Sequence, residues 1–300
     1  MTDKFTCPEV YAGLRADTHG VYKPCCVFKG SIGSVEQSSP IEVMNGKPAK
    51  QLRKAFDEQD MDYIKNHCES CLDLEDKGLK SRRLEAIENY EQGKYKGNDD
   101  NLQQAKEEPG SFFHSVELPG RTGNYCNLKC AMCQPVCSSS FAKEVEELGD
   151  TSPYEQTHFD TVKTIADFKH LNAFKWTMKP ADNFDSDVEK ILENLLEFKF
   201  SGGEPLSAKW NYDILLKAIE MDRAKDIILQ FNTNCTLTSP VKASQKVSIF
   251  DIVNHFKNVQ MNVSIEGWGL KNDYIRYPSD FNVILDNARR FASIDCVDVT

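Results

Sequence analysis

Long apolar stretches are missing from this sequence of 300 residues. Nowhere do about 18 apolar residues follow one another without interruption, and a helix that crosses a bilayer needs roughly that number. The first eight residues contain no apolar core of the kind that a secretory signal peptide carries. We therefore expect a cytoplasmic protein that does not associate with membranes.

Positive charge is also in short supply. The chain has 36 Lys and Arg residues against 46 Asp and Glu residues, which gives a formal net charge of −10. A general nucleic-acid binder needs a basic surface to neutralise phosphates, so the charge excludes that class while allowing a local basic cleft. Hydrophobic residues make up 40% of the chain, enough for a packed core. The length favours one large domain with a smaller one.

Cysteine, by contrast, is abundant, with eleven residues. A cytosolic compartment keeps thiols reduced, so they indicate metal or redox chemistry rather than disulfides. Three of them, Cys126, Cys130 and Cys133, have the spacing Cys-x3-Cys-x2-Cys. Gly123 and Pro135 flank this stretch, and both residue types favour a loop over a helix interior.

A short loop with three cysteines can hold three corners of a four-iron cluster and leave the fourth iron open for a reaction. Two other interpretations compete with this one. The i, i+4, i+7 spacing also fits three small apolar side chains on one helix face. A structural zinc site is the second, because Cys137 offers a fourth thiolate.

A second motif lies downstream, where a short strand runs into Ser201-Gly202-Gly203-Glu204-Pro205. Adjacent glycines let a ligand approach the backbone closely. The two motifs in this order resemble the radical S-adenosylmethionine (radical SAM) superfamily. The resemblance implies a catalytic 4Fe-4S cluster on Cys126, Cys130 and Cys133, with the amino and carboxylate groups of S-adenosylmethionine on the fourth iron. Cys137 is then a bystander.

Other strand ends resemble the superfamily's cofactor contacts. The resemblance implies that S-adenosylmethionine is bound by Met132, Gly202, Gly203, Glu204, Thr233, Asn234, Ser264 and Arg276. The planar fork of Arg276 is suited to the methionyl carboxylate. Two positions depart from the pattern, since Cys235 replaces a glycine and Glu266 stands where Asp is usual. Taken singly, Ser264 and Thr233 are better interpreted as ordinary strand-end hydroxyls and Arg276 as a surface charge. Together, after the cysteine loop, they favour a cofactor site.

Four further cysteines form two separated pairs in the N-terminal third: Cys7 and Cys25, then Cys68 and Cys71. A hairpin signal at residues 17–20 brings the first two together, and a predicted helix at residues 49–66 delivers the second two. This spacing resembles the twitch and SPASM auxiliary-cluster segment, in the subgroup where it precedes the barrel, and implies a second 4Fe-4S cluster. Zinc is the alternative, because thiolate spacing does not separate these metals. Cys25 and Cys26 are both candidates for the ligand, and the four-residue spacing from Gly20 favours Cys25.

From residue 112 onwards, strands alternate with helices, which predicts a parallel sheet with right-handed crossovers. The predicted strands are residues 112–118, 198–201, 227–231, 259–265 and 297–300. Helical patterns at residues 160–172 and 182–196 predict an insertion between the first two strands. The barrel motifs fall at the C-terminal ends of strands, where such barrels carry their active sites.

The expected fold is therefore α/β, with a partial (β/α)6 TIM-like radical SAM barrel of five visible strands preceded by a small α+β twitch domain. The expected boundaries are residues 1–92 for the twitch domain, 93–111 for a polar linker and 112–300 for a barrel that is incomplete at its C-terminal end. Glycine and charged residues dominate the linker stretch, which is typical of connecting segments.

The resemblance implies an enzyme that reductively cleaves S-adenosylmethionine and uses the 5′-deoxyadenosyl radical to abstract hydrogen from a peptide or small-molecule substrate. Its partners would be that substrate and an electron donor such as flavodoxin or ferredoxin. The alternative is a non-catalytic zinc-binding scaffold with a degenerate barrel.

Two separate cysteine sets predict about eight irons and about eight sulfides per chain after anaerobic reconstitution, since each set suffices for one four-iron cluster. Iron, sulfide and zinc analysis of the desalted protein measures this. Finding about four irons together with one zinc would contradict the second cluster and leave the first intact.

Overall fold

The computed structural model describes residues 5–118, 123–148, 179–241 and 247–300. It is a mixed α/β protein with an eight-stranded sheet and, within these ranges, twelve α-helices. The α/β class predicted from the sequence is confirmed. None of the helices in these ranges combines the length and the apolar character that crossing a membrane requires. The helix predicted at residues 160–172 lies outside the described residues.

The helices in chain order are α1 (Glu9–Ala12), α2 (Pro40–Met44), α3 (Lys47–Glu58), α4 (Met61–Asp76), α5 (Arg82–Glu91), α6 (Asp99–Glu107), α7 (Ser139–Leu148), α8 (Phe184–Leu192), α9 (Lys209–Glu220), α10 (Phe250–Val253), α11 (Leu270–Ile275) and α12 (Phe281–Ala292). The strands are β1 (Gly13–Ala16), β2 (Val21–Lys23), β3 (Gly33–Ser34), β4 (Ser115–Glu117), β5 (Glu197–Phe200), β6 (Ile228–Thr233), β7 (Asn258–Val263) and β8 (Val297–Val299).

The chain forms two compact units. The first comprises Met1–Leu118 with Pro180–Phe198, and the second comprises Pro119–Lys179 with Lys199–Thr300, so β5 is divided between them. In the first unit, β1 pairs antiparallel with β2 and parallel with β4, and β2 pairs antiparallel with β3. The β1–β2 pairing confirms the predicted hairpin. The side chain of Asp17 accepts hydrogen bonds from the N–H groups of His19 and Val21, and Gly20 takes the positive φ of 76° that the turn requires.

The single helix predicted at residues 49–66 was wrong, because α3 and α4 divide this stretch. Gln59 has a positive φ of 59°, which ends α3. Asp60 then caps α4, its carboxylate accepting from the N–H of Tyr63 at 3.1 Å. Cys68 and Cys71 consequently lie inside α4 rather than after a helix, and the helix is kinked at Cys68.

The stretch predicted as a linker, residues 93–111, includes α6 and belongs to the first unit. Tyr95 is fully buried, and its hydroxyl donates a hydrogen bond to the buried carboxylate of Glu197. The ammonium of Lys94 pairs with the same carboxylate at 2.5 Å. A polar, glycine-containing composition predicts a linker, but one buried aromatic residue with a buried partner is enough to fix such a segment.

In the second unit, β6 pairs parallel with β7, and β7 pairs parallel with β8. The strands predicted at residues 198–201, 227–231, 259–265 and 297–300 are confirmed, with ends that shift by one or two residues. Helices α9, α10 and α12 follow β5, β6 and β7 respectively, which confirms the predicted alternation. The finer assignments, a barrel and a twitch domain, stay predictions.

Replacing Tyr95 with Phe removes the hydroxyl that donates to a fully buried carboxylate. We expect Tyr95→Phe to lower the free energy of unfolding by about 1 to 3 kcal/mol, because the carboxylate keeps the cost of its burial and loses a donor. Tyr274→Phe is the matched control, since Tyr274 is 84% exposed, and should change stability by less than about 0.5 kcal/mol. Urea unfolding curves of both variants measure the difference, and equal effects would contradict the role of Tyr95.

Candidate functional site

The cysteine loop of the second unit is irregular backbone with turns, followed by a short 3-10 turn at Pro135–Cys137. The helix-face interpretation of these cysteines is therefore wrong. Cys126 and Cys130 are buried, Cys133 is partly buried, and the three pack together around Leu128. The structure thus brings the three predicted ligands to one location.

Serine side chains fix the shape of this loop. Ser139 Oγ accepts a hydrogen bond from the N–H of Cys126 at 3.2 Å, and Ser140 Oγ donates to its carbonyl at 2.6 Å. Ser138 Oγ donates to the carbonyl of Leu128, also at 2.6 Å. Because these serines stand at the start of α7 and just before it, the helix anchors a loop that has no regular hydrogen bonding of its own.

The segment after α11 lies against the same loop. The backbone N–H groups of Lys129 and Ala131 donate to the carbonyls of Tyr277 and Ile275, at 2.6 and 2.7 Å. Arg276 stands between those two carbonyls in sequence. One terminal nitrogen of its guanidinium lies 3.7 Å from Cys130 Sγ, and the other lies 2.6 Å from Glu266 Oε1.

The third donor of Arg276, Nε–H, is buried and has no hydrogen-bond partner among the described residues. Burial raises the pKa of the Cys130 thiol, and the nearby guanidinium opposes this effect. The sequence predicted a methionyl carboxylate as the partner of Arg276. In the structure, this guanidinium donates to the carboxylate of Glu266, so it already binds a carboxylate group.

The double-glycine turn packs directly on the cysteine loop. Gly202 and Gly203 have positive φ values of 74° and 53°. A Cβ atom at Gly203 would lie 2.3 Å from the carbonyl oxygen of Tyr125, which no side chain tolerates. The N–H of Glu204 donates to the same oxygen at 2.7 Å. The two motifs that are separated in sequence therefore share a backbone contact.

The carboxylate of Glu204 joins the ends of two strands. It is buried and accepts hydrogen bonds from Thr233 Oγ1 at 2.6 Å and from the N–H groups of Asn234 and Leu206 at 2.7 and 3.0 Å. Burial raises the pKa of Glu204, and these hydrogen bonds oppose the shift. Its side chain thus holds the end of β6 beside the glycine turn, while its backbone N–H donates to Tyr125 and its carbonyl accepts from Ser207.

The end of β6 reaches the cysteine loop through Asn234. Its amide nitrogen lies 4.0 Å from Cys126 Sγ and 3.0 Å from the side-chain oxygen of Asn127. Cys235, which stands where the resemblance expects glycine, is buried and adopts a positive φ of 57°. The backbone at this position therefore has the conformation that glycine favours, despite the substitution.

Ser264 and Met132 are the remaining predicted contacts. The N–H of Ser264 donates to the carbonyl of Thr233 at 2.9 Å, so it follows β7 beside the end of β6. Met132 is 52% exposed and therefore accessible to a ligand. All the predicted cofactor residues lie in the second unit with the three cysteines.

In the first unit, Cys7, Cys25, Cys68 and Cys71 line one narrow cavity. Cys26 does not line it and is exposed. The structure therefore favours Cys25 over Cys26 as the fourth member of this set. Two arginines that sequence reasoning did not assign, Arg82 and Arg83, line the same cavity; the only signal for them is their position shortly after the second cysteine pair.

Burial raises the pKa of cysteine thiols in both sets. Burial raises the pKa of Cys126 and of Cys25 to about 12, and that of Cys133 and of Cys68 to about 11. Metals and clusters bind the thiolate, so loading either set displaces protons. The donor sets are all sulfur, which suits zinc or an iron-sulfur cluster and not a hard cation.

Within the described ranges, no three or more His, Cys, Asp or Glu side chains are arranged to hold a metal ion. The chain matches no family model, no curated protein and no solved structure.

Gly203→Ala should disrupt the contact between the two motifs. Ala at this position has both an unfavourable positive φ and a clash with a backbone oxygen, whereas Gly269 has a similar φ of 57° with nothing near a Cβ. We expect Gly203→Ala to lower the free energy of unfolding by about 1 to 3 kcal/mol more than Gly269→Ala does. Denaturant unfolding of the two variants measures this, and equal losses would mean that the turn and the loop are not in contact.

Proposed function

We propose that this chain is a radical SAM enzyme that reductively cleaves S-adenosylmethionine and abstracts hydrogen from a peptide or small-molecule substrate. The observation that carries the proposal is the backbone contact between the cysteine loop and the double-glycine turn. A glycine turn packed on three clustered thiols is the pairing of motifs that the resemblance implies for a cluster and S-adenosylmethionine, because glycine lets the turn and the loop approach each other closely. A structural zinc loop has no need of such a turn.

The type of donor that the loop offers suits an iron-sulfur cluster. Cys126, Cys130 and Cys133 offer three soft donors, and Arg276 provides a buried N–H that still lacks an acceptor among the described residues. When bound, the 4Fe-4S cluster supplies the electron that cleaves S-adenosylmethionine into methionine and a 5′-deoxyadenosyl radical. The protein supplies position and exclusion of water.

The chain's own residues would bind and orient S-adenosylmethionine. Arg276 would take the methionyl carboxylate in place of Glu266, whose side chain is 40% exposed and free to swing into solvent. The backbone of Gly202, Gly203 and Glu204 would receive the methionyl ammonium. Thr233, Asn234, Ser264 and Met132 would complete the site around the rest of the molecule.

The N-terminal cysteines Cys7, Cys25, Cys68 and Cys71 would hold a second 4Fe-4S cluster, in a domain of the twitch type. Four thiols around one cavity are enough to ligate every iron of a cubane, so this cluster would not bind S-adenosylmethionine. It would exchange an electron with a substrate radical or help to bind the substrate. The remaining features of the proposal are a partial barrel, a cytoplasmic location and an electron donor such as flavodoxin or ferredoxin.

A non-catalytic zinc-binding scaffold is the second candidate. The same four thiols around one cavity favour it, because a closed all-cysteine site is also what structural zinc requires. This candidate gives no role to the glycine turn or to Arg276.

Formation of 5′-deoxyadenosine by the reconstituted, dithionite-reduced protein tests the proposal. We expect the wild type to produce it and the variant with Ala at Cys126, Cys130 and Cys133 to lose it completely. Cys137→Ala is the matched control, since it removes a thiol next to the same loop and should retain most of the activity. A triple variant that still cleaves S-adenosylmethionine, or a wild type that never does, would contradict the proposal.

A further inference from the structure

Two adjacent arginines line the cavity that the four N-terminal cysteines share. Each nitrogen of Arg83 donates a hydrogen bond within the protein. Its Nε and one terminal nitrogen donate to the carboxylate of Glu75, and the other terminal nitrogen donates to the carbonyl of Thr6 at 3.1 Å. Its guanidinium also stacks over the ring of Phe5, 4.0 Å from the ring centre.

Arg82 is different. One terminal nitrogen pairs with the buried carboxylate of Glu9 at 2.6 Å, and the other pairs with Glu85 at 3.2 Å. Its Nε is buried and has no hydrogen-bond partner among the described residues. A buried N–H without an acceptor is costly, so a native protein normally supplies one.

The guanidinium of Arg82 is held in a fixed orientation. Glu9, which fixes one end, also contacts the buried ring of His114 at 3.1 Å. His114 in turn contacts the hydroxyl of Tyr90 at 3.2 Å. Because its two terminal nitrogens are held in this way, Arg82 cannot turn its Nε–H to water without breaking both ion pairs.

A sulfur atom of a bound cluster is a suitable acceptor for the Nε–H of Arg82. Thiolate and sulfide sulfurs accept hydrogen bonds, and four thiolates around one cavity concentrate negative charge beside Arg82. We propose that Arg82 donates its Nε–H to a sulfur of the iron-sulfur group bound by Cys7, Cys25, Cys68 and Cys71. The hydrogen bond stabilises the reduced, more negative state and raises its reduction potential. This inference rests on the second cluster of the proposed function.

Arg82→Lys and Arg83→Lys, each in the full-length chain with Ala at Cys126, Cys130 and Cys133, form the matched pair. Both keep the positive charge, but only Arg82→Lys removes an Nε–H that has no hydrogen-bond partner in the part of the chain that the structure describes. We expect Arg82→Lys to shift the ratio of reduced to oxidised cluster about tenfold towards the oxidised form at a fixed potential, which equals about 59 mV for a one-electron couple. Arg83→Lys should shift it less than twofold. Redox titration followed by electron paramagnetic resonance measures both.

A second measurement does not depend on how Arg82→Lys folds. In the Arg83→Lys protein labelled with ¹⁵N-arginine, hyperfine spectroscopy of the reduced cluster should detect a weakly coupled nitrogen. Iron present, with no such coupling and no difference in potential between the two variants, would overturn the role of Arg82 alone. Zinc in place of iron at these cysteines would overturn the second cluster as well, and metal analysis distinguishes the two failures.

Discussion

The candidate site depends on the absence of a side chain at Gly203. The carbonyl oxygen of Tyr125 occupies space that any Cβ would need, and the N–H of Glu204 donates to that same oxygen. The carboxylate of Glu204 then holds the end of β6, where Asn234 approaches Cys126. One close backbone contact thus aligns the glycine turn, the strand end and the cysteine loop.

The two cysteine sets have similar electrostatic surroundings. Burial raises the pKa of thiols in both sets, and each set has an arginine beside it that pairs with a glutamate. Arg276 pairs with Glu266 and approaches Cys130, whereas Arg82 pairs with Glu9. Both have a buried Nε without a partner among the described residues. A guanidinium is suited to this role because it stays charged while its N–H groups compensate the negative charge of bound sulfur.

The sequence predicted most strands and helices of the second unit, because apolar residues alternate with polar ones along β5 and β7, and α9 and α12 each bury an apolar face. It failed where one side chain decides the outcome. Asp60 caps a new helix inside a stretch where apolar residues recur at helical spacing without a break. Buried Tyr95 fixes a stretch whose composition is typical of a linker. Between the adjacent Cys25 and Cys26, the spacing from Gly20 favoured Cys25, and it is Cys25 that lines the cavity with the other three cysteines. The partners of Arg276 and Arg82 depend on tertiary contacts that no spacing encodes.

The central claim is that the fourth iron on the cysteine loop binds S-adenosylmethionine directly. Electron–nuclear double resonance of the reduced holoprotein, mixed with S-adenosylmethionine that carries ¹⁵N in its methionyl amino group, tests this claim most directly. We expect a strong nitrogen coupling in the wild type, because an amino group bound to iron shares its spin density. A cluster that binds S-adenosylmethionine without any such coupling would contradict the account.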